Sequence, residues 1–316
     1  MSCDCFIFGG IEKKRGNVFM WFWLALVALL CWSGSDLFSK IGSKPDDKHS
    51  HLKMVMAVGL VMGLHAMYEL FIVGTPITIG DFVTYLPVSL LYIISMMIGY
   101  IGLRYIELSI SSPICNSSGA IAALGCFIFL GQRMSSLQTF AVVLVCIGVI
   151  GLGLVEMKED EELRVKRQSI ANVKYTKSFL AILLPILYCI IDAAGTLADS
   201  LVLEKLNENT ANVAYELTFL FLGILAFIYV VVIKKEKLTV KRESPKFIAA
   251  IFETAGQFAY IFAVGANAIA AAPVISSYCV ASVLWSRIFL KEKLSLKHYS
   301  MIIICVIGIV ILGAIE

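Results

Sequence analysis

The chain has 316 residues, of which 59% are hydrophobic and 16% charged, with a formal net charge of +3. A soluble domain is about 45–50% apolar and about 25% charged, so this composition excludes a water-soluble globular fold. Several apolar runs reach the roughly 20 residues that cross a bilayer, and the expected fold is all-α and polytopic, with the lipid bilayer as surroundings and nucleic acid not among its partners.

A tail over residues 1–17 precedes ten predicted spans, at 18–41, 52–73, 83–103, 109–131, 136–156, 178–202, 211–233, 246–265, 269–290 and 297–315. The first span places Trp32, Ser35, Asp36 and Ser39 on one helical face. In the second, His65 and Glu69 are spaced i, i+4 and are expected to pair. In the third, Tyr85 reads as an interfacial belt residue, whereas Tyr92 and Tyr100 lie deeper and suit an aromatic wall around a solute. Pro113 is expected to start the fourth span and Pro273 the ninth, where proline's missing N–H is tolerated. The turns after them, with Asn116 and Ser117 or Ser276 and Ser277, would then offer N–H groups to a solute carboxylate.

Between the fifth and sixth spans lies the only extended polar segment, residues 157–177, read as a linker between two halves, 18–156 and 178–316. The sixth span carries Tyr188, Asp192, Thr196 and Asp199 on one stripe. The eighth carries Glu253, Gln257 and Tyr260 at i, i+4 and i+7. An acid at a helix centre costs about 2.5–3.5 kcal/mol on insertion scales, so Asp36, Asp192 and Glu253 are expected to face the bundle interior, with aromatic neighbours on the same stripes.

The halves repeat one another. With an offset of 160 positions, Pro113 falls on Pro273, Ser117 on Ser277, the run Ile128, Phe129, Leu130 on Ile288, Phe289, Leu290, and Gly148 on Gly308. Five spans per half is an odd number, so the second copy enters the membrane from the opposite face: two inverted five-helix repeats, an architecture secondary transporters use for alternating access to a midplane site.

The residues Leu103, Arg104, Tyr105 and Pro113, with Lys291, Glu292 and Lys293 in the second half, resemble the EamA-type ten-helix branch of the drug/metabolite transporter superfamily over about residues 18–316. Gln132 departs from that pattern, standing where the first half of the family usually has Glu. The resemblance implies a transporter of small organic solutes and termini in the cytoplasm. The basic residues argue the reverse orientation, because most flank the linker side of the membrane.

The function expected is secondary transport of a small organic solute, an amine, amino acid or related metabolite, since an aromatic face with nearby carboxylates suits an organic cation or zwitterion. The alternative is a membrane receptor or scaffold without flux. The candidate solute-binding residues are Trp32, Asp36, Tyr92, Asn116, Tyr188, Asp192, Glu253, Gln257 and Tyr260, and Asp192 and Glu253 are also the candidates for proton coupling. Walker A, His-Glu-x-x-His and Gly-x-Ser-x-Gly motifs are absent from the sequence, so no enzyme activity, cofactor or metal is expected.

Overall fold

A computed structural model of the chain describes residues 5–44, 46–105, 108–131, 133–157, 179–289 and 295–315. Gln132, the Lys291–Lys293 motif and the linker from residue 158 onward lie outside the described residues. In chain order the helices are α1 Cys5–Gly42, α2 Ser50–Tyr68, α3 Ile79–Gly102, α4 Leu108–Asn116, α5 Ser118–Phe129, α6 Ser136–Met157, α7 Phe179–Val202, α8 Glu208–Phe227, α9 Val240–Ser276, α10 Tyr278–Phe289 and α11 Leu296–Ile315. Among the described residues seven helical stretches are long and apolar enough to cross a membrane, and two shorter apolar helices are Ser136–Gly151 and Tyr299–Leu312. The longest of the seven, Val240–Phe289, has 50 residues and contains a non-helical break at Asn267. Ten passages is the number obtained by counting that stretch twice and adding the two shorter helices.

The halves share their irregularities. α4 ends and α5 begins around Ser117, and α9 ends and α10 begins around Ser277, its repeat equivalent. Pro113 and Pro273 do not open helices. Pro113 lies in the second turn of α4, and Pro273 lies the same distance past the Asn267 break in α9. The helix is already wound upstream of each proline, and the chain breaks just beyond it. The offered N–H groups are also spent locally: Ser117 N–H donates to the Pro113 carbonyl at 3.2 Å and Ser277 N–H to the Pro273 carbonyl at 3.1 Å. Neither is left for a solute.

Packing reveals the relation between the halves. α1 lies along α9 and α3 along α7, which exchanges equivalent partners, while α2 packs on its own equivalent α8 and α6 on its own equivalent α11. Contacts run in opposite directions along these pairs: a Cβ at Gly59 would lie 3.0 Å from Gly223, one at Gly63 would lie 2.6 Å from Leu220, and His65 pairs with Glu216. Equivalent helices packed antiparallel mean that the second repeat is inverted relative to the first. His65 Nδ1 is 2.8 Å from Glu216 Oε1 of the other repeat and its Nε2 only 4.0 Å from Glu69. The expected pairing within α2 is therefore the weaker contact, and the stronger one ties the repeats together.

The α2–α8 crossing depends on two glycines. A Cβ at Gly59 would sit 2.6 Å from the Phe219 carbonyl oxygen, against backbone that cannot give way. Gly59→Leu is expected to cost about 1–3 kcal/mol from overpacking, seen as a lower melting temperature of the purified protein. Gly102→Ala, whose new atom would meet Leu184 at an ordinary 3.7 Å, should melt as wild type. Equal melting of both variants would contradict the close crossing.

Candidate functional site

Between the repeats lies a cavity of about 90 Å³. α1 contributes Trp32 and Asp36, α3 Tyr92, and α4 Asn116. From the second repeat come Tyr188 and Asp192 on α7 and Glu253, Gln257 and Tyr260 on α9. All nine candidate residues therefore meet around one space, because the helical stripes on which they were read turn toward each other across the repeat interface.

The carboxylates are held by hydroxyl groups. Ser112 and Ser282 donate to Asp36 at 2.6 and 3.0 Å. Ser118 donates to Asp192 at 2.8 Å, with Ser95 at 3.5 Å, and Ser35 donates to Glu253 at 2.8 Å. Among the described residues, no ion pair involves any of these three acids. A hydroxyl satisfies a carboxylate's lone pairs without cancelling its charge. The cavity thus holds three carboxyl groups that are hydrogen-bonded but, among the described residues, paired with no cation.

Aromatic rings form the rest of the wall. Trp32 stacks at a tilt on Tyr260, 5.1 Å between centroids, and meets Tyr278 edge-on. Tyr92 meets Tyr215 and Tyr260 edge-on. Gly256 makes the Trp32 position possible, since a Cβ there would fall 2.4 Å from the indole. Three buried donors on the lining, Trp32 Nε1, Tyr100 Oη and Gln257 Nε2, have no acceptor among the described residues. The lining thus combines carboxyl groups, π faces and buried donors.

Sequence reading missed much of the supporting shell. Ser112, Ser118 and Ser282 gave no signal, because a serine in an apolar span reads equally as a small packing residue. Tyr85 is corrected outright: it is fully buried and donates to Asp199 at 2.8 Å, so it does not belong to the interfacial belt. Asp199 itself, seen on the α7 stripe, stands apart from the cavity lining.

At the linker-side end a second charged group joins the repeats. Lys53 Nζ lies 3.0 Å from Asp47 and 2.8 Å from Glu236, and Lys246 Nζ lies 2.6 Å from Glu243 and 3.7 Å from Asp47. Lys246 is only 1% exposed, so its partners must compensate its desolvation.

An inverted, two-repeat helical bundle in a membrane, closed around an acidic and aromatic cavity, defines an integral membrane protein of the transporter class. The family model described as the EamA-like transporter family matches residues 19–154 and again 179–314, and the chain belongs to that family. A solved crystal structure of another protein aligns over 92% of this chain and 95% of its own, with a TM-score of 0.62 and 14% identity; that likeness concerns the fold alone. No curated protein matches the chain.

Glu236 lies outside the membrane-spanning stretches, and hydrogen bonds from Lys53 and then His49 hold its carboxyl below the usual range. Its stabilising contribution is therefore complete above the unfolded carboxyl value of about 4.3 and is lost as pH falls through the lower folded value. Partial exposure keeps the contribution small. The melting-temperature difference between wild type and Glu236→Gln is expected to shrink as pH falls below about 4.3. A difference that stays constant with pH would contradict the pairing.

Proposed function

We propose that the protein is a secondary transporter that moves a small organic solute with a cationic amine, such as an amine or amino acid, by alternating access across the plasma membrane. The observation that carries this reading is the set of three cavity carboxylates, Asp36, Asp192 and Glu253, bonded to hydroxyls and lying outside every ion pair of the described residues. Burying such charges without a counterion is costly. A cationic solute that supplies the counterion during each cycle gives the arrangement a use. Trp32, Tyr92, Tyr188 and Tyr260 would hold its apolar body and Gln257 its acceptor, while Asn116, whose amide donates to Ser112, would shape the wall beside them.

The inverted repeats, 18–156 and 178–316, supply the two faces that exchange access to the cavity. Asp192 and Glu253 are also candidates for coupling, because a proton taken up there competes with the cation. One proton exchanged for one singly charged cation moves no net charge, so the pH gradient drives the exchange, about 1.4 kcal/mol and a tenfold solute gradient per pH unit. A receptor or scaffold would need no inverted halves.

Radiolabelled phenethylamine is the direct probe, since it joins one ammonium group to one aromatic ring. Purified protein in proteoliposomes should take it up saturably, and Asp192→Asn or Glu253→Gln should each slow uptake by about tenfold or more, a loss of about 1.4 kcal/mol or more. Binding without wild-type flux would favour the receptor reading. Wild-type flux unaffected by both substitutions would remove the carboxylates from the site.

A further inference from the structure

The cavity stops short of the terminal side of the membrane, the side on which α1 starts and α7 ends. On α7 its lining ends at Thr196, and a separate hollow on the terminal side begins at Ser200 and includes Glu204. On the arm of α9 that precedes the Asn267 break the lining ends at Tyr260 and the hollow begins at Val264, and beyond the break the cavity lining resumes at Ala272. Four residues, about 6 Å of helix rise, separate the two spaces on both helices. Asp199 occupies that interval. Its carboxylate accepts hydrogen bonds from Tyr85 at 2.8 Å and Tyr92 at 3.4 Å, and the Tyr92 hydroxyl also bonds Thr196 and Tyr260. Tyr85 and Tyr92 belong to the first repeat, and Thr196, Asp199 and Tyr260 to the second.

We propose that Asp199 and these tyrosines are the gate on the terminal side of the cavity, and that a proton binding to Asp199 releases it. The inference rests on the transport reading above but assigns the proton to a group outside the solute cavity, so that coupling works through the gate and not through competition for Asp192 or Glu253.

The chemistry is a single protonation. As an anion, Asp199 accepts charge-assisted bonds from both hydroxyls and holds α3 of one repeat against α7 of the other. A proton from the terminal-side solution forms an O–H bond on the carboxylate. The neutral acid accepts more weakly and becomes a donor itself, which removes the strongest link across the barrier. The groups facing Asp199 are Tyr85 and Tyr92 from α3, Tyr260 from α9, Tyr215 from α8 and Cys126 from α5 through Ser200, with Asp192 on its own helix, and Glu204, just past the end of α7, and Arg133 line the hollow beyond it. Asp199 is 0% exposed and belongs to no ion pair of the described residues. Among the described residues, protonation therefore breaks no ion pair of Asp199.

The test combines infrared titration with flux. In lipid nanodiscs, the protonated-carboxyl absorption should titrate between about pH 4 and 10, the span of ordinary carboxyl and tyrosine values. One component should vanish in Asp199→Asn, and Tyr85→Phe should change the pH at which it disappears. In proteoliposomes, Asp199→Asn should exchange phenethylamine within about threefold of the wild-type rate, about 0.6 kcal/mol, while losing accumulation driven by a pH gradient. An Asp199→Asn spectrum with every wild-type component, or a variant that still accumulates phenethylamine, overturns the proposal. If Asp199→Asn does not fold, Tyr85→Phe decides it, because an unchanged titration in that variant also overturns the gate. If wild type moves no phenethylamine, the transport reading fails on its own, and the infrared titration still decides whether Asp199 binds the proton.

Discussion

A bilayer core offers a carboxylate neither water nor counterion, so each acid inside the helical bundle must find its partners within the protein. Asp36, Asp192, Asp199 and Glu253 find them in hydroxyl groups from other helices. That requirement shapes the bundle. Each acid draws a serine or tyrosine from a neighbouring element, and three of the four bonds join the first repeat to the second: Ser118 to Asp192, Tyr85 to Asp199 and Ser35 to Glu253. Asp36 is bonded from both repeats, by Ser112 and Ser282. The polar contacts that make the site also hold the halves together.

The scaffold is duplicated, but its chemistry is not. Carrying the offset of 160 back along the chain, Asp192 corresponds to Trp32, Asp36 to Thr196, Asp199 to Ser39 and Glu253 to Ile93. Inversion duplicates the helical frame, whereas the asymmetric acids make its two ends chemically different. On the linker side Lys53 and Lys246 are clasped by Asp47, Glu236 and Glu243. On the terminal side the hydroxyls of Tyr85 and Tyr92 bond Asp199. One end carries an ion-pair network and the other a hydroxyl cluster around a single acid, so pH and salt act on them differently.

The repeat was legible because proline, glycine and serine recur in fixed register, which shared apolar composition cannot produce. The cavity was legible because acids and aromatics on one helical stripe have few places to go in lipid, and Asp192, Gln257 and Trp32 sit on the lining that their spacing suggested. Individual helix ends were less so. Pro113 and Pro273 were read as helix starts from a local preference, yet each lies inside a helix whose start is set by the chain reversal or break before it. Tyr85 was misread because depth along a span does not say which way a side chain points; only packing of α3 on α7 turns it onto Asp199. His65 was matched to Glu69, its neighbour in sequence, although Glu216 on the antiparallel α8 is closer.

The central claim is that the cavity carries unneutralised negative charge awaiting a cation. Calorimetric titration of the purified protein with phenethylamine and with phenylacetate, which share a ring and differ in the sign of their charge, tests it most directly. The account predicts saturable heat for the amine, weakened by Asp36→Asn, and none for the carboxylate. Binding of phenylacetate in preference to phenethylamine would contradict it.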